Sequence, residues 1–247
     1  MAERVTVANG SVIVREVFVP FVGLPPALDG IRVAHITDLH FRRWNRVLER
    51  AQELLQSLSY DLLAVTGDLA DVPDQWPLAA SMCRRFFEPI TPPCGIYGVL
   101  GNHDVPRLAA EPYLPLRLLR NECIDVPING AALPVAGVEQ TFYGRGQLTR
   151  TLEQTPEVGG ALLLAHYPST VYELSDDRVA LILSGHTHGG QIRFPLIGPV
   201  ICPSWHGTKY AGGFFHEPPT LLHVSRGTAS LFPLRLGCPP EITRLVL

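Results

Sequence analysis

The sequence is poor in charged residues, at 17%, and lacks the cysteine patterns of disulfide-rich and zinc-knuckle proteins. Its cysteines are odd in number and contain no C-x-x-C pair; they are Cys83, Cys94, Cys123, Cys202 and Cys238. An even set would favour a disulfide framework, and paired C-x-x-C motifs would favour a zinc knuckle. Neither is indicated, so we expect free thiols in a reducing compartment.

Long apolar runs are also missing, since no stretch approaches the roughly 18 apolar residues of a membrane span. Glu3 and Arg4 stand where a signal peptide needs apolar residues. We therefore expect a cytoplasmic protein, with peripheral contact at the inner membrane left open. The apolar segment 17–26, VFVPFVGLPP, favours packing under a sheet, with contact to a membrane or lipid as the alternative, because its prolines exclude an amphipathic helix.

An excess of basic charge is absent too, because the formal net charge is −3. Coating of a phosphate backbone needs clustered Lys and Arg, so no stable nucleic-acid partner is expected. Nothing in the sequence resembles a linker, which predicts a single domain over residues 1–247. Valines on either side of Asn9-Gly10 predict an N-terminal hairpin over about residues 4–20, with a two-residue turn packed onto that domain.

What the sequence does contain is a series of strand-length apolar runs that stop at small or polar residues. They are IRVAHI, DLLAVTGD, GIYGVLGNHD, ALLLAHYP and VALILSGHTH. Helical patterns lie between some of them, over residues 44–58, 78–87 and 106–120. The late segments TLLHVS and EITRLVL predict strands without a helix between them. The order predicts a mixed α/β fold with two stacked sheets.

Residues with metal-binding chemistry follow the ends of these runs. They are Asp38 and His40 in TDLH, Asp68 in TGDL, Asn102, His103 and Asp104 in GNHD, His166 in AHYP, and His186 and His188 in GHTH. Ligands gather beyond the carboxyl ends of strands in open α/β sheets, so distant segments can converge there. Carboxylate, imidazole and amide oxygen together suit Mn²⁺, Fe²⁺ and Zn²⁺.

The GHTH segment taken alone has two interpretations. Its histidines either face solvent in a polar turn or reach one metal ion, for which neutral imidazole is the commonest protein ligand. The four other motifs, each at a strand end, favour the metal. We also expect Gly189 and Gly190 to adopt positive φ beside His188, and His35, inside the strand IRVAHI, to be a hydrogen-bonded buried histidine rather than a ligand.

On these motifs the chain resembles the calcineurin-like metallophosphoesterase superfamily, whose signature is D-x-H, GD, GNH[DE], a lone H and GHxH. The signature spans residues 31–188. The segments GGQIRFP and FPLRLGCPPEITRLVL are similar to one bacterial branch, which contains general phosphodiesterases and a UDP-diacylglucosamine pyrophosphatase of lipid A synthesis. The resemblance implies a four-layer α/β/β/α sandwich of two stacked mixed sheets.

The same resemblance implies a binuclear metal centre in which Asp68 bridges two ions. One ion would be held by Asp38, His40, Asp68 and His188, and the other by Asp68, Asn102, His166 and His186. Ions about 3.5–4 Å apart need a shared anionic ligand, and together they clamp the attacking and leaving oxygens of a phosphoryl displacement. We expect Mn²⁺ at both positions, with Fe²⁺ or Zn²⁺ as alternatives.

Two residues of GNHD are expected to be catalytic. His103 follows a ligand in the family pattern, so its imidazole could protonate the leaving oxygen or stabilise the transition state. Asp104 would orient that ring, as carboxylates near metal sites commonly do. The alternative for His103 is a turn histidine with a structural hydrogen bond.

The leading functional hypothesis is a dimetal phosphohydrolase in which a metal-bridging hydroxide attacks phosphorus in line. The bond would be a phosphodiester or a pyrophosphate, and UDP-2,3-diacylglucosamine is the specific, lipid-linked candidate. A general phosphodiesterase and a catalytically silent binding module are the alternatives, and the completeness of the ligand set favours an enzyme.

Two further sets of residues bear on the substrate. Arg42 and Arg43 either grip a second phosphate or a nucleotide, or form a solvated pair at a helix start. Apolar residues in the late loops either contact an acyl chain or a large leaving group, or pack in the core; they are Phe194, Trp205, Phe214 and Phe215.

Overall fold

The computed structural model describes residues 3–7, 12–141, 147–157, 160–174, 177–204, 207–230, 232 and 234–247. With strands numbered along the chain, one sheet contains β1 (Glu3–Val7), β2 (Ile13–Phe18), β3 (Arg32–Ile36), β4 (Leu62–Thr66), β5 (Ile96–Val99), β6 (Arg117–Leu118) and β15 (Glu241–Val246). The facing sheet contains β7 (Glu122–Ile128), β8 (Ala131–Val138), β9 (Ala161–Ala165), β10 (Val179–Ser184), β13 (Gly213–Glu217) and β14 (Thr220–Val224). A two-stranded ribbon, β11 (Arg193–Phe194) and β12 (Gly198–Pro199), lies outside both sheets.

Both sheets are mixed, and each has a parallel centre. The first sheet has the order β1-β2-β15-β3-β4-β5-β6, in which β3 to β6 are parallel to one another. The second has the order β13-β14-β10-β9-β8-β7, in which β8, β9, β10 and β14 are parallel. Parallel strands end at the same edge of a sheet, so the loops that follow them are brought together.

Three hydrophobic cores pack against the faces of the two sheets. The strands that are buried on both faces, such as LLAVT in β4 and ALLLA in β9, send alternate side chains into two different cores. One core lies between the sheets, one lies between the first sheet and two helices, and one covers the outer face of the second sheet. The expected α/β sandwich of two mixed sheets is confirmed.

Two long helices cover the first sheet. They are α1 (Arg46–Ser57) and α2 (Trp76–Phe87), and a shorter helix, α3 (Leu148–Leu152), packs on the second sheet. The helix α1 begins where the side chain of Asn45 accepts hydrogen bonds from the backbone N–H groups of Val47 and Leu48. Both long helices agree with the helical patterns over residues 44–58 and 78–87.

The helix expected over residues 106–120 is wrong. The segment forms a short 3₁₀ helix at Pro106–Ala110 and the strand β6 at Arg117–Leu118. Pro112 and Pro115 explain the difference, because a proline removes a helical N–H and disfavours the α conformation of the preceding residue.

The N-terminal hairpin is present as an antiparallel pair of β1 and β2, with Val7 opposite Ile13. The predicted Asn9-Gly10 turn lies outside the described residues. In the apolar segment 17–26, Val17 and Val19 are buried in the core between the sheets, which confirms the packing interpretation for that part.

Candidate metal centre

The loops that follow the parallel strands meet at one edge of the sandwich. Asp38, Asp68 and Asn102 follow β3, β4 and β5 of the first sheet, while His166 and His186 follow β9 and β10 of the second. The structure brings the predicted ligands into two adjoining groups whose donor atoms lie within 4.8 Å of one another; they are Asp38, His40 and His188, and Asp68, His166 and His186. A third group of the same kind, His40, Asp68 and His103, shares one residue with each of them.

The first group has two imidazole nitrogens that face each other. His188 Nε2 lies 3.2 Å from His40 Nε2 and 3.5 Å from Asp38 Oδ1. His188 Nδ1 lies 3.1 Å from the carbonyl oxygen of Ala229. A carbonyl only accepts, so we assign the proton of His188 to Nδ1 and the lone pair to Nε2. His40 Nδ1 lies 3.6 Å from the Asp71 carboxylate and makes no hydrogen bond among the described residues, while His40 Nε2 faces His188 Nε2.

The second group repeats this arrangement with oxygen atoms. His166 Nδ1 donates to the carbonyl oxygen of Thr66 at 2.8 Å, which leaves the lone pair on Nε2. That nitrogen lies 2.9 Å from Asn102 Oδ1 and 3.2 Å from Asp68 Oδ2. The ring of His186 is 5.1 Å from that of His166, measured between centroids. Asn102 Oδ1 therefore lies beside the second group, where the predicted ligand set needs it.

These donor sets fit metal ions, because ring nitrogens and carboxylate or amide oxygens converge on shared points where a metal ion or a proton must lie between them. Burial lowers the pKa of His40 and of His186 to about 3, so both rings are neutral, as a metal ligand must be. Burial opposes the charged form of His166 as well, but the Asp68 carboxylate raises the pKa of His166 to about 9. A proton and a metal ion would thus compete for His166 Nε2.

Asp68 lies between the two groups. Its Oδ2 atom is 3.6 Å from His40 Nε2 and 3.2 Å from His166 Nε2, while Oδ1 accepts a 2.9 Å hydrogen bond from the backbone N–H of His103. Burial would raise the pKa of this carboxyl, but the charge of His166 holds it well below its usual range. Asp68 is a carboxylate that both groups can share.

The backbone at these positions has an unusual conformation. Positive φ occurs at Asp38 (55°), His40 (39°), Asp68 (52°), His186 (70°) and His188 (50°). This left-handed region is uncommon for residues other than glycine, and such strain persists only where surrounding contacts enforce it. Gly189 and Gly190 have φ of 66° and 75°, which confirms their expected role.

Glycines also leave the space that the carboxylates fill. A Cβ on Gly185 would lie 2.1 Å from Thr37 Oγ1 and 2.6 Å from Asp38 Oδ2. A Cβ on Gly101 would lie 2.3 Å from Asp68 Oδ1. Sterics therefore explain why glycine stands at the first position of GHTH and of GNHD, because any side chain there would collide with a candidate ligand.

His103 is half-buried beside this centre, with its ring centroid 4.8 Å from that of His40. Its Nδ1 donates to the backbone carbonyl of Asp71 at 2.6 Å, which leaves Nε2 as the atom that can meet a substrate. Arg42 Nε binds the Asp71 side chain at 2.6 Å.

Asp104 does not orient His103 in the way expected. Its fully buried carboxylate accepts hydrogen bonds from three backbone N–H groups, those of Leu69, Ala70 and Gly101. These bonds join the loop that carries Asp68 to the loop that carries Asn102. Burial and the nearby Asp68 charge raise the pKa of Asp104 to about 7. Its observed position is thus a brace between two ligand loops, and the Asp71 carbonyl holds the His103 ring.

Three functional contacts were missed from sequence because backbone atoms make them. The carbonyls of Thr66, Asp71 and Ala229 each bind a histidine of the centre, and a carbonyl has no signature in a sequence. The side chain of Asp71 stands three residues after Asp68 and was a signal that could have been used.

The remaining sequence expectations have mixed outcomes. His35 is a hydrogen-bonded buried histidine, as expected, with Nε2 2.8 Å from Thr66 Oγ1 and Nδ1 3.1 Å from His223 Nδ1. Phe214 and Phe215 pack against two of the cores, whereas Phe194 is exposed. Trp205 lies outside the described residues.

Comparison with known proteins agrees with this geometry. A family model described as calcineurin-like phosphoesterase matches residues 31–190. The chain is 30% identical over 224 residues to the phosphodiesterase YaeI of Escherichia coli, covering 87% of this chain and 82% of that protein. It is 28% identical over 235 residues to the uncharacterized metallophosphoesterase YkuE of Bacillus subtilis, covering 91% and 81%.

Among solved structures, the NAD nucleotidase of Haemophilus influenzae has a similar fold. The TM-score is 0.52 at 14% identity, and the match covers 81% of this chain and 46% of that one. The chain therefore spans less than half of that protein, and the likeness concerns the fold alone.

Proposed function

The chain belongs to the calcineurin-like phosphoesterase family and is a metal-dependent phosphoester hydrolase, and we propose that it cuts phosphodiester or pyrophosphate bonds at a two-metal centre. The observation that carries this proposal is the convergence of the Nε2 atoms of His40, His188 and His166 on two adjoining points, with the Asp68 carboxylate between them. A silent binding protein would not need such a complete set.

The proposed ligand sets are Asp38, His40, Asp68 and His188 for one ion, and Asp68, Asn102, His166 and His186 for the other. Mn²⁺ is the proposed metal, since nitrogen and oxygen donors suit it. Divalent ions bound there would supply positive charge for the phosphate oxygens and lower the pKa of the attacking water. The ligand residues would fix where the phosphate binds, because hydrogen bonds to backbone carbonyl groups hold rings such as those of His166 and His188.

We assign proton transfer to His103 and positioning to Asp104. The hydrogen bond from His103 Nδ1 to the Asp71 carbonyl holds the ring and leaves Nε2 to meet the leaving oxygen. Asp104 would act through the loops, because its carboxylate joins the backbone just after Asp68 to the backbone just before Asn102.

The finer proposal is a nucleoside-diphosphate-linked acylated lipid, with UDP-2,3-diacylglucosamine as the specific candidate. An apolar surface on the two-stranded ribbon that follows His188 in the sequence supports it. The β11–β12 ribbon exposes Leu196 and Ile197 at its turn, with exposed fractions of 108% and 76%, and Leu236 pairs with the residue before β11. An exposed apolar surface of this kind marks a site of contact, here with acyl chains or the surface of a membrane. A general phosphodiesterase is the second candidate, since the relative YaeI is named a phosphodiesterase.

The test is a comparison of kcat/KM for bis(4-nitrophenyl) phosphate, 4-nitrophenyl phosphate and UDP-2,3-diacylglucosamine with Mn²⁺. We expect the diester and the UDP-lipid to be cleaved faster than the monoester. A clear preference for the monoester would contradict the proposed bond class. No cleavage of the UDP-lipid, with diester cleavage retained, would leave the general phosphodiesterase.

A single domain over residues 1–247 and a cytoplasmic location are also proposals. Strand β15, near the C-terminus, pairs with both β2 and β3, which supports the single domain. All five cysteines are free thiols, which supports a reducing compartment. No helix among the described residues is long and apolar enough to cross a bilayer.

A further inference from the structure

A cavity of about 640 Å³ adjoins the candidate metal centre on the side of His40. Its wall is formed by the start of α1 and by the loop around Thr228, and it includes Arg42, Arg43, Arg46 and Arg235. Among the residues that the structure describes, none with a carboxylate side chain lines it. Four guanidinium groups, of which one is paired with a carboxylate, make this part of a net acidic protein attractive to an anion.

Two of these arginines are occupied by the protein itself. Arg42 binds Asp71 at 2.6 Å. Arg235 donates to Ser230 Oγ at 2.9 Å and to the carbonyl oxygens of Arg226, Ala229 and Cys238, so it fastens the loop that also holds His188. Their positive charge adds to the electrostatic potential of the cavity, but their N–H donors are already bound to groups of the protein.

The other two arginines offer donors to a ligand. Arg43 and Arg46 are exposed, and neither guanidinium makes an ion pair or a hydrogen bond within the part of the chain that the structure describes. The helix backbone contributes less, because the Asn45 side chain already accepts from the N–H groups of Val47 and Leu48. An anion in the cavity would therefore bind to guanidinium groups, whose planar donors match phosphate oxygens.

A buried hydroxyl provides an independent sign of a ligand. Thr228 lines the cavity and is 1% exposed, and its Oγ1 has no hydrogen-bond partner among the described residues. Buried polar atoms are nearly always paired, so this unpaired hydroxyl on a residue of the cavity wall is available to a polar group of a ligand.

We propose that this cavity is a second anion subsite, in which Arg43, Arg46 and Thr228 bind the phosphate that neighbours the one being cleaved. This inference rests on the proposed function and narrows it to substrates with two linked phosphates. Of the two interpretations of Arg42 and Arg43, the structure assigns Arg42 to Asp71 and Arg43 to the substrate. The metal centre would hold the scissile phosphate, and the arginines would hold its neighbour.

The kinetic test compares bis(4-nitrophenyl) phosphate, which has one phosphate, with UDP-glucose, which has two. In the Arg43→Gln/Arg46→Gln protein we expect KM for UDP-glucose to rise on the order of tenfold, the effect of two exposed ion pairs. Its kcat, and both constants for the diester, should stay within about twofold. Thr228→Val should raise the same KM, and Thr228→Ser should restore it.

Arg50→Gln is the matched control, because Arg50 lies one turn further along α1 and pairs with Glu53 at 2.8 Å. It should leave both substrates unaffected. Equal losses on both substrates, or none on UDP-glucose, would overturn the subsite, as would a wild-type enzyme that cleaves the diester but not UDP-glucose. Cleavage of neither substrate would instead contradict the proposed function.

Binding without metal separates the subsite from catalysis. Fluorescence anisotropy of a labelled UDP should show binding to EDTA-treated wild-type protein that weakens with salt and falls on the order of tenfold in the Arg43→Gln/Arg46→Gln protein. Equal binding of UMP and UDP would contradict a site for the second phosphate. Equal affinity of the wild-type and double-variant proteins for UDP would remove the arginines from it.

Discussion

The loops of the candidate metal centre, the last of which leads into the β11–β12 ribbon, differ from that ribbon in which side chains they bury. In the loops, polar side chains are buried, their backbone is often left-handed, and carbonyl groups fix the imidazole rings. In the ribbon, apolar side chains at Leu196 and Ile197 face outward. The proposed chemistry thus lies where many contacts hold each side chain, and the proposed contact with the substrate lies where few contacts constrain the residues.

The difference follows from what each region must hold. A carboxylate such as Asp68 is tolerated inside the protein only when donors or cations surround it. The Asp104 carboxylate shows the extent of this support, since it binds three backbone N–H groups across two loops. The ribbon needs no such network, so changes there should leave the centre intact.

The largest effect should come from Asp68, the residue that both ligand groups share. Asp68→Asn removes the shared negative charge, so both ions should be lost. Activity should then fall by more than roughly 10⁴, which is more than the loss of a general acid alone would cause. His188→Ala should chiefly weaken one ion, because His188 belongs to one group. Elemental analysis of both proteins would decide this, and equal metal loss in the two would contradict the shared position of Asp68.

His103→Gln should have the next largest effect on turnover. We expect a loss on the order of 10²–10⁴ with metal content unchanged, and the loss should be greatest for poor leaving groups that need a proton. Rates on aryl and alkyl phosphodiesters, measured with the metal content, would test it. Loss of metal, or a wild-type rate on an alkyl ester, would show that the proton-transfer role is wrong.

A smaller effect is expected from adding one methyl group in each region. Gly185→Ala should destabilise the protein by about 1–3 kcal/mol, the range for overpacking, and impair catalysis, because the new Cβ collides with Thr37 and Asp38. In the ribbon, the Cβ of Gly198→Ala would have no atom within 4 Å. Only the positive φ of +82° would be strained, which should lower the free energy of unfolding by about 1 kcal/mol. Urea unfolding and diester kinetics would compare them. Full diester activity in Gly185→Ala would contradict the tight fit around Asp38.

The smallest effect on the centre should come from the ribbon itself. Leu196→Ser/Ile197→Ser should change the unfolding free energy by less than about 0.5 kcal/mol per site, as exposed positions usually do. It should leave diester hydrolysis unchanged while lowering kcat/KM for an acylated UDP-sugar. Val22→Ser, at an exposed apolar residue of the N-terminal segment, is the control. Unchanged kinetics on the acylated substrate would remove the ribbon from substrate binding.

Much of the centre could be predicted because its side chains stand at fixed places in a simple pattern. Parallel strands that end at one edge bring Asp38, Asp68 and Asn102 together whatever the loops do in detail. The helix α1 was predictable from the spacing of its apolar residues, and in the structure Asn45 caps its start. These features depend on periodicity and on capping, which short stretches of sequence carry.

Other features depend on contacts between distant segments. The bond of His103 to the Asp71 carbonyl, and that of Asp104 to three N–H groups, arise only after the loops have met. The left-handed backbone at Asp38 and His188 is likewise enforced by neighbours rather than by local preference. The wrong helix over residues 106–120 was different, because Pro112 and Pro115 were visible in the sequence and outweighed its apolar spacing.

The most direct test of the account is the metal content of the purified chain after reconstitution with Mn²⁺ and removal of excess ion. Elemental analysis of the wild-type protein should give two ions per chain, and the same treatment of Asp68→Asn should give close to none, because both groups depend on that carboxylate. Wild-type protein without metal above background would contradict the account, and a stoichiometry of one that Asp68→Asn leaves unchanged would contradict the binuclear centre.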